Sequence, residues 1–407
     1  MGAVATCVIS GTSDRRFAAI REEFERNFAE RGEIGASLAV YFKGELVVDL
    51  WGGSTEPSGD RAWRRDTLTQ VFSATKGVSA TCLHILSDRG LLDFDAPVAR
   101  YWPEFAANGK QNITVAMTLA HQAGLPYWQD PIPEGGLTDW ALATSALARE
   151  APVWEPGTTH GYHGMTSGFL WGEIVRRITG RTIGAFLRDE VAGPLGADVW
   201  IGLPPEEEHR VSNVILADSD QPSPMFTKVV NEPEWHGAKM LLNCGGMFSP
   251  EFIHTRAFRA AEGPATGGVM SADGLARIYA PLSLDGSFNG VRLVHAEALP
   301  AMRTTRSSSS VDEMLRIATT FTLGFSKTWG ARRDGPGNYV ILGEQAFGTP
   351  GMGGSVGFAD GEAGLAFGYV MNQLGGGVGL NERGQALIDA TYRTLGYRTD
   401  RQGPWVR

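Results

Sequence analysis

The chain reads as a mixed α/β protein. One antiparallel sheet is built from both ends of the sequence and flanked by helices, and a mostly helical region is inserted between its halves. Three observations predict this. Residues 36–42 (ASLAVYF) and 45–51 (ELVVDLW) are strand-like runs on either side of Lys43-Gly44, a hairpin signature. Residues 320–329, 355–359 and 365–372 again alternate or stay apolar, with Gly361 and Gly364 turning the last pair. Between about Leu92 and Gly286 the apolar spacing is helical, with long loops. The expected units are a discontinuous sheet domain, residues 1–72 and 320–407, and a mostly helical domain, residues 73–319.

Each element has a local reason. Residues 13–31 form an amphipathic helix, with Ser13 as N-cap and Phe17, Ile20, Phe24 and Phe28 as its buried stripe. A helical pattern follows Ser73, with Val78, Cys82, Ile85 and Leu86 on the stripe and Gly90 as its stop. Further helices are expected over residues 116–121, over 138–150 with Thr138 as cap, over 166–179 stopped by Gly180, and over 182–191. Residues 218–266 are rich in Pro and Gly and weakly patterned, which marks a functional or mobile loop. Ser271 caps a helix running to Tyr279. Residues 303–310 (RTTRSSSS) have the composition of a flexible surface segment. Residues 380–395 form a closing helix.

Composition removes several classes of function. The apolar fraction of 43% and charged fraction of 20% are those of a soluble globular protein. A net charge of −9 argues against nucleic acid or an anionic membrane as partner. No 18-residue apolar run offers a membrane span, and the first residues lack an apolar core behind a basic start. Three widely spaced cysteines (Cys7, Cys82, Cys244) make neither a disulfide framework nor a metal set, so a reducing cytoplasm is expected. No metal or organic cofactor is implied. Oligomeric state is open.

VFSATKG, residues 71–77, carries the chemistry. Ser73 and Lys76 are spaced S-x-x-K at a helix start, so both lie on one helix face. A serine hydroxyl needs a base, and a desolvated lysine can serve as one. The pair alone is weak: six lysines and 23 serines produce it by chance about one time in three (6 × 23/407). Its company makes it specific. Residues 156–180 place Tyr162 in a turn before a helix, and residues 346–360 (AFGTPGMGGSVGFAD) set a Gly-rich turn against a strand.

This ordered set resembles the serine β-lactamase and penicillin-binding-protein superfamily. Within it the chain is most similar to the class C-like branch, and there to the family VIII carboxylesterases. The stretches at 120–126 (AHQAGLP) and 367–373 (FGYVMNQ) match in character, and the resemblance runs from about Gly35 to Gly396. It implies a β-lactamase-like fold with the active site at the junction of the two domains. It implies Ser73 as the acyl-forming nucleophile, with Lys76 and Tyr162 sharing its proton. The third motif falls on Thr349-Pro350-Gly351, and the oxyanion hole on the backbone N–H groups of Ser73 and Met352. Thr349, Gly351, His163, Trp128 and Trp154 are candidates for lining the substrate pocket. The resemblance implies a small-molecule ester or amide as substrate.

Two positions depart from the β-lactamases of this branch. Gly164 stands where they have asparagine, and uncharged Thr349 where they have lysine. A β-lactam carboxylate would find little to bind there, so short-chain esters are the expected substrates, and a lysine at 349 is expected to improve β-lactam turnover. β-Lactam, D-amino-acid peptide or linear amide cleavage and acyl transfer remain alternatives on the same machinery. A non-catalytic binding protein is the alternative from another class, and Lys76 and Tyr162 beside the serine argue against it. Other patterns have plainer readings. Lys327-Thr328-Trp329-Gly330 competes for the third motif but lies in a strand-like run. Ser355 fits G-x-S-x-G, yet no helix follows it. His121 fills a turn, while His160 lines either loop or pocket. Trp235, like Trp128 and Trp154, serves as pocket wall or core.

Overall fold

The computed structural model describes residues 7–216, 224–400 and 402–407. Its main sheet has six antiparallel strands: β1 (Ile9–Ser13), β2 (Gly35–Phe42), β3 (Glu45–Gly53), β4 (Phe347–Pro350), β5 (Val356–Asp360) and β6 (Leu365–Met371), in the order β1-β3-β2-β6-β5-β4. The two ends of the chain meet where β2 pairs β6, with Phe42 opposite Leu365 and Ala36 opposite Met371. Lys43 (φ 52) and Gly44 (φ 82) both take the left-handed conformation of a two-residue hairpin turn. A hairpin turn this tight holds β2 and β3 in register except for a bulge at Val40/Tyr41.

β2 and β6 are buried along almost their whole length, because helices cover both faces. Helices α1 (Ala18–Glu30) and α5 (Glu382–Thr394) pack against each other on one side, and α4 (Ala272–Tyr279) lies on the other. Gly368 and Gly357, paired across β6 and β5, permit that approach. A Cβ at Gly368 would lie 2.3 Å from Ala272 O, and one at Gly357 2.5 Å from the Tyr279 ring. Helix α2 (Thr75–Asp88) is buried from Thr75 to Leu86, as befits a central helix with apolar residues on every side. Its polar side chains are satisfied locally: Ser79 Oγ donates to Pro264 O, and His84 Nε2 bonds Leu323 O. Helix α3 (Thr166–Thr179) packs beside it and ends at Gly180 (φ 71), where a left-handed cap was expected.

A second sheet joins Leu68–Gln70 to Gly268–Met270, Val199–Ile201 and Val211–Ser212. It ties the entry to α2 to segments about 130 to 200 residues further on.

Several local expectations are corrected. Asp14, not Ser13, caps the first helical turn by accepting from Arg16 N, because Ser13 is still paired in β1. Asp139, not Thr138, caps Trp140–Arg149. Residues 303–310 are not loose: Ser307–Ser309 pair with Thr319–Phe321, and Ser307 Oγ donates to buried Ala120 O. The strand expected over 320–329 is only Thr319–Phe321, followed by single bridges at Ser326 and Trp329. The weakly patterned stretch carries short helices at Pro224–Asn231, His236–Leu242, Pro250–Ile253 and Arg256–Ala260, while its residues 218–223 lie outside the described residues. Among the described residues no helix is long and apolar enough to cross a membrane.

Candidate active site

Ser73 sits in a tight turn (Phe72–Ala74) that leads into α2. Phe72 before it has φ 45, a left-handed conformation costing a bulky residue about 1–2 kcal/mol. The surroundings hold it there. Thr75 Oγ1 donates to Phe72 O at 2.6 Å and accepts from Gly268 N, and Val71 N donates to Gly268 O at 3.0 Å. The second sheet thus grips the turn from both sides of the serine.

Lys76, one turn on, is fully buried and has no carboxylate partner among the described residues. Its Nζ donates to Gly164 O at 2.6 Å and Ala265 O at 3.2 Å, and lies 3.1 Å from Ser73 Oγ. The two carbonyls can only accept, so they engage two N–H bonds. The third direction faces Ser73. In a neutral amine that direction carries the lone pair, placed to take the serine proton. Burial holds the Lys76 amine well below the usual lysine range, which favours the neutral form.

Tyr162 closes the group. Its ring lies 4.8 Å from Lys76 Nζ and stacks on Phe321 at 6.0 Å. Burial raises the phenol well above the ordinary tyrosine range, while its hydrogen bond with Ser73 acts in the opposite sense. Both shifts favour the uncharged forms, the phenol of Tyr162 and the amine of Lys76. An uncharged phenol can donate a proton and an uncharged amine can accept one.

The structure brings β4 against the same turn. A Cβ on Gly351 would lie 2.0 Å from Val71 O and 3.3 Å from Ala74 N, so only glycine allows this contact. Gly351 thereby serves close approach and not a lining surface. Half-buried Met352 follows, and nothing among the described residues accepts its N–H. Lys327 is elsewhere, donating to Arg303 O. Ser355 is buried with its hydroxyl unpartnered among the described residues, which does not suit a nucleophile elbow.

Other candidates are placed differently from expectation. Thr349 is buried, and its hydroxyl turns into the layer under α2 toward the Tyr279 hydroxyl, beside Gly77. His163 is wholly buried: Nδ1–H donates to Gly161 O and Nε2 accepts from Leu125 N, so both nitrogens are spent on backbone. Burial pushes its pKa down to about 3. Trp128 is core, with Nε1 donating to Ala143 O and its ring edge-on to Phe169. Trp235 packs in a satellite cluster with Val229 and Ala238. Trp154 alone of the tryptophans adjoins the Tyr162 loop, half-buried and edge-on to His163, with its ring 2.9 Å from where a Gly161 Cβ would stand.

The sequence reading missed two neighbours of the site, Met240 and Asp312, and read His121 only as a turn residue, which it is. Met240 fills the space beside Gly164, with Sδ only 2.5 Å from where a Cβ there would be. His121 (φ 58) accepts the His163 N–H on Nδ1 and the Gly161 N–H on its carbonyl. Asp312 accepts the Tyr162 N–H at 3.1 Å. Asp312 had no signal, because it follows a run of serines and meets Tyr162 across 150 residues.

A serine with a buried amine at its hydroxyl, a phenol beside it and the Gly351 backbone packed against its turn has the parts for acyl transfer. Comparison with known proteins agrees. The family model Beta-lactamase matches residues 20–391. The esterase/beta-lactamase LipL of Mycobacterium tuberculosis is 34% identical over 375 residues, which is 90% of this chain and 83% of LipL. Among solved structures, a family VIII carboxylesterase aligns with a TM-score of 0.83 and 36% identity, covering 95% of this chain and 100% of its own. A penicillin-binding protein homologue from Caulobacter crescentus aligns with a TM-score of 0.81 and 35% identity, over 95% and 100% of the two chains. With the match extending across both halves of the sheet and the inserted helices, the chain belongs to the beta-lactamase family.

Proposed function

We propose that this protein is a serine hydrolase that cleaves small carboxylic esters through an acyl-enzyme on Ser73. The observation that carries this is the Lys76 amine, held by two carbonyls with its third direction on Ser73 Oγ. Lys76 takes the serine proton as Oγ attacks the ester carbonyl. The Ser73 and Met352 N–H groups hold the oxyanion. Tyr162 gives its proton to the departing alkoxide and takes the serine proton from Lys76, which restores both neutral groups, and water then enters along the reverse path to release the acid. The site lies at the junction of the sheet and the inserted helical region. The names of LipL and of the family VIII carboxylesterase support ester chemistry. The three cysteines, all free, fit a cytoplasmic location.

β-Lactam hydrolysis is the second reading, supported by the other half of the LipL name. Two observations disfavour it. Met240 occupies the space next to Gly164, and Thr349 is turned away beneath α2, so neither position offers a polar group to a substrate carboxylate. A buried carboxylate without partners loses its hydration for little return. The test is kcat/KM for p-nitrophenyl acetate and butyrate against nitrocefin, with Ser73→Ala as control. The ester is expected to lead by at least about a hundredfold, roughly 2.7 kcal/mol in barrier. An active Ser73→Ala variant would overturn the reading.

A further inference from the structure

Three consecutive N–H groups, those of Gly161, Tyr162 and His163, belong to no helix or strand. Backbone donors buried in such a segment must be satisfied from elsewhere. Here they alternate between two residues. Gly161 N donates to His121 O and His163 N to His121 Nδ1. The middle one, on Tyr162, goes to the carboxylate of Asp312.

Asp312 is fully buried, and both of its oxygens are committed. Oδ1 accepts from Tyr162 N at 3.1 Å, Met314 N at 2.8 Å and Leu315 N at 3.0 Å. Oδ2 accepts from Thr319 Oγ1 at 2.9 Å. Because Thr319 spends its one hydroxyl proton there, its oxygen must accept from His160 Nε2, 2.8 Å away. His160 is thus held with its proton on Nε2, facing Oδ2 at 3.6 Å. Thr319 stands on the strand whose Phe321 stacks on the Tyr162 ring. The same short strand therefore holds the phenol from its ring face and, through Asp312, from its main chain.

Resting on the ester-hydrolase reading above, we infer that Asp312 is a positioning residue, braced by the Thr319–His160 chain, which fixes the Tyr162 main chain and so aims the phenol at Ser73 and Lys76. It does not touch the reacting atoms. Its effect passes through the Tyr162 hydroxyl alone, and this separates it from a residue that merely stabilises the fold.

The experiment is a double-mutant cycle on the full chain with p-nitrophenyl acetate. Asp312→Ala is expected to lower kcat about a hundredfold, the usual cost of misplacing a catalytic group by about 1 Å, with KM changed less than about threefold. In a Tyr162→Phe background the same substitution should change kcat less than about threefold, because the group it aims is already gone. Asp360→Ala is the control: that buried carboxylate likewise accepts two backbone N–H groups and a hydroxyl, from Tyr392, on a different strand of the fold. It should leave kcat of the folded enzyme unchanged. If Asp312→Ala does not fold, Asp312→Asn goes through the same cycle. It keeps an oxygen acceptor but loses the charge, and a loss of about tenfold is expected in the wild-type background only. Equal losses in both backgrounds, or near-normal kcat in a folded Asp312 variant, would overturn the inference. If Ser73→Ala turns over ester in the same assay, the hydrolase reading fails instead, whatever Asp312 does.

Discussion

Replacing Gly351 by alanine tests whether the edge of the sheet supplies half of the oxyanion hole. The added Cβ would stand 2.0 Å from Val71 O and 3.3 Å from Ala74 N, both main-chain atoms of the nucleophile turn. Cβ atoms essentially never approach closer than 3.0 Å, so the end of β4 must withdraw from that turn by about 1 Å. Neither side yields easily, since the turn is gripped by Gly268 and Thr75 and the strand by Ser326 and β5. Met352 is the next residue, and its N–H moves with the strand. Losing one oxyanion donor typically costs about 10² to 10³ in rate, or 2.7–4 kcal/mol. We expect Gly351→Ala to lower kcat on p-nitrophenyl acetate by about a hundredfold, and overpacking to lower stability by about 1–3 kcal/mol. The assay pairs steady-state kinetics with a denaturant midpoint on the same preparation. Gly361→Ala is the control, because a Cβ there meets nothing within 4 Å. A folded Gly351→Ala enzyme with kcat within about threefold of wild type would refute the reasoning, since a 1 Å displacement at a working donor cannot be that benign.

Ser73→Ala should abolish ester turnover and fluorophosphonate labelling, whereas Ser355→Ala, which removes a buried unpartnered hydroxyl, should retain both. Tyr162→Phe deletes only the phenolic oxygen and should lower kcat by about 10² to 10⁴; near-normal kcat would remove Tyr162 from proton transfer. The folded pKa of Lys76 lies below its unfolded value, so over the interval between them the unfolded chain binds the extra proton and stability rises with pH. Denaturant midpoints at pH 7 and pH 10 should therefore show wild type gaining on Lys76→Met as pH rises, and equal differences at the two pH values would contradict a depressed amine. Gly164→Asn alone should not raise nitrocefin turnover, because Met240 Sδ blocks it at 2.5 Å, whereas Gly164→Asn with Met240→Ala should. The lysine at 349 that sequence alone suggested would enter the buried layer beside Tyr279, so Thr349→Lys should lower the melting temperature without narrowing the gap between ester and nitrocefin.

Much of this protein is legible along the chain, and the reason is range. The Lys43-Gly44 hairpin, the Gly180 cap and the Ser271 cap depend on atoms a few residues apart, so residue type and spacing were enough to place them. Ser73 and Lys76 share a helix face for the same reason. The sheet built from both termini was also readable, because its strands are short alternating or continuously apolar runs whichever partner they find. Tertiary structure decided what lies across from what. Lys76 is poised as the proposed base because Gly164 and Ala265, 88 and 189 residues away, bring two carbonyls to its buried nitrogen. His163 looked like a pocket residue beside Tyr162, but packing spent both its nitrogens on backbone. Thr349 lies in the expected motif, yet its side chain turns toward Tyr279 because β4 packs against α2. Asp312 carried no pattern at all, since a buried carboxylate is recognised by the N–H groups that surround it, and those gather only when the chain has folded.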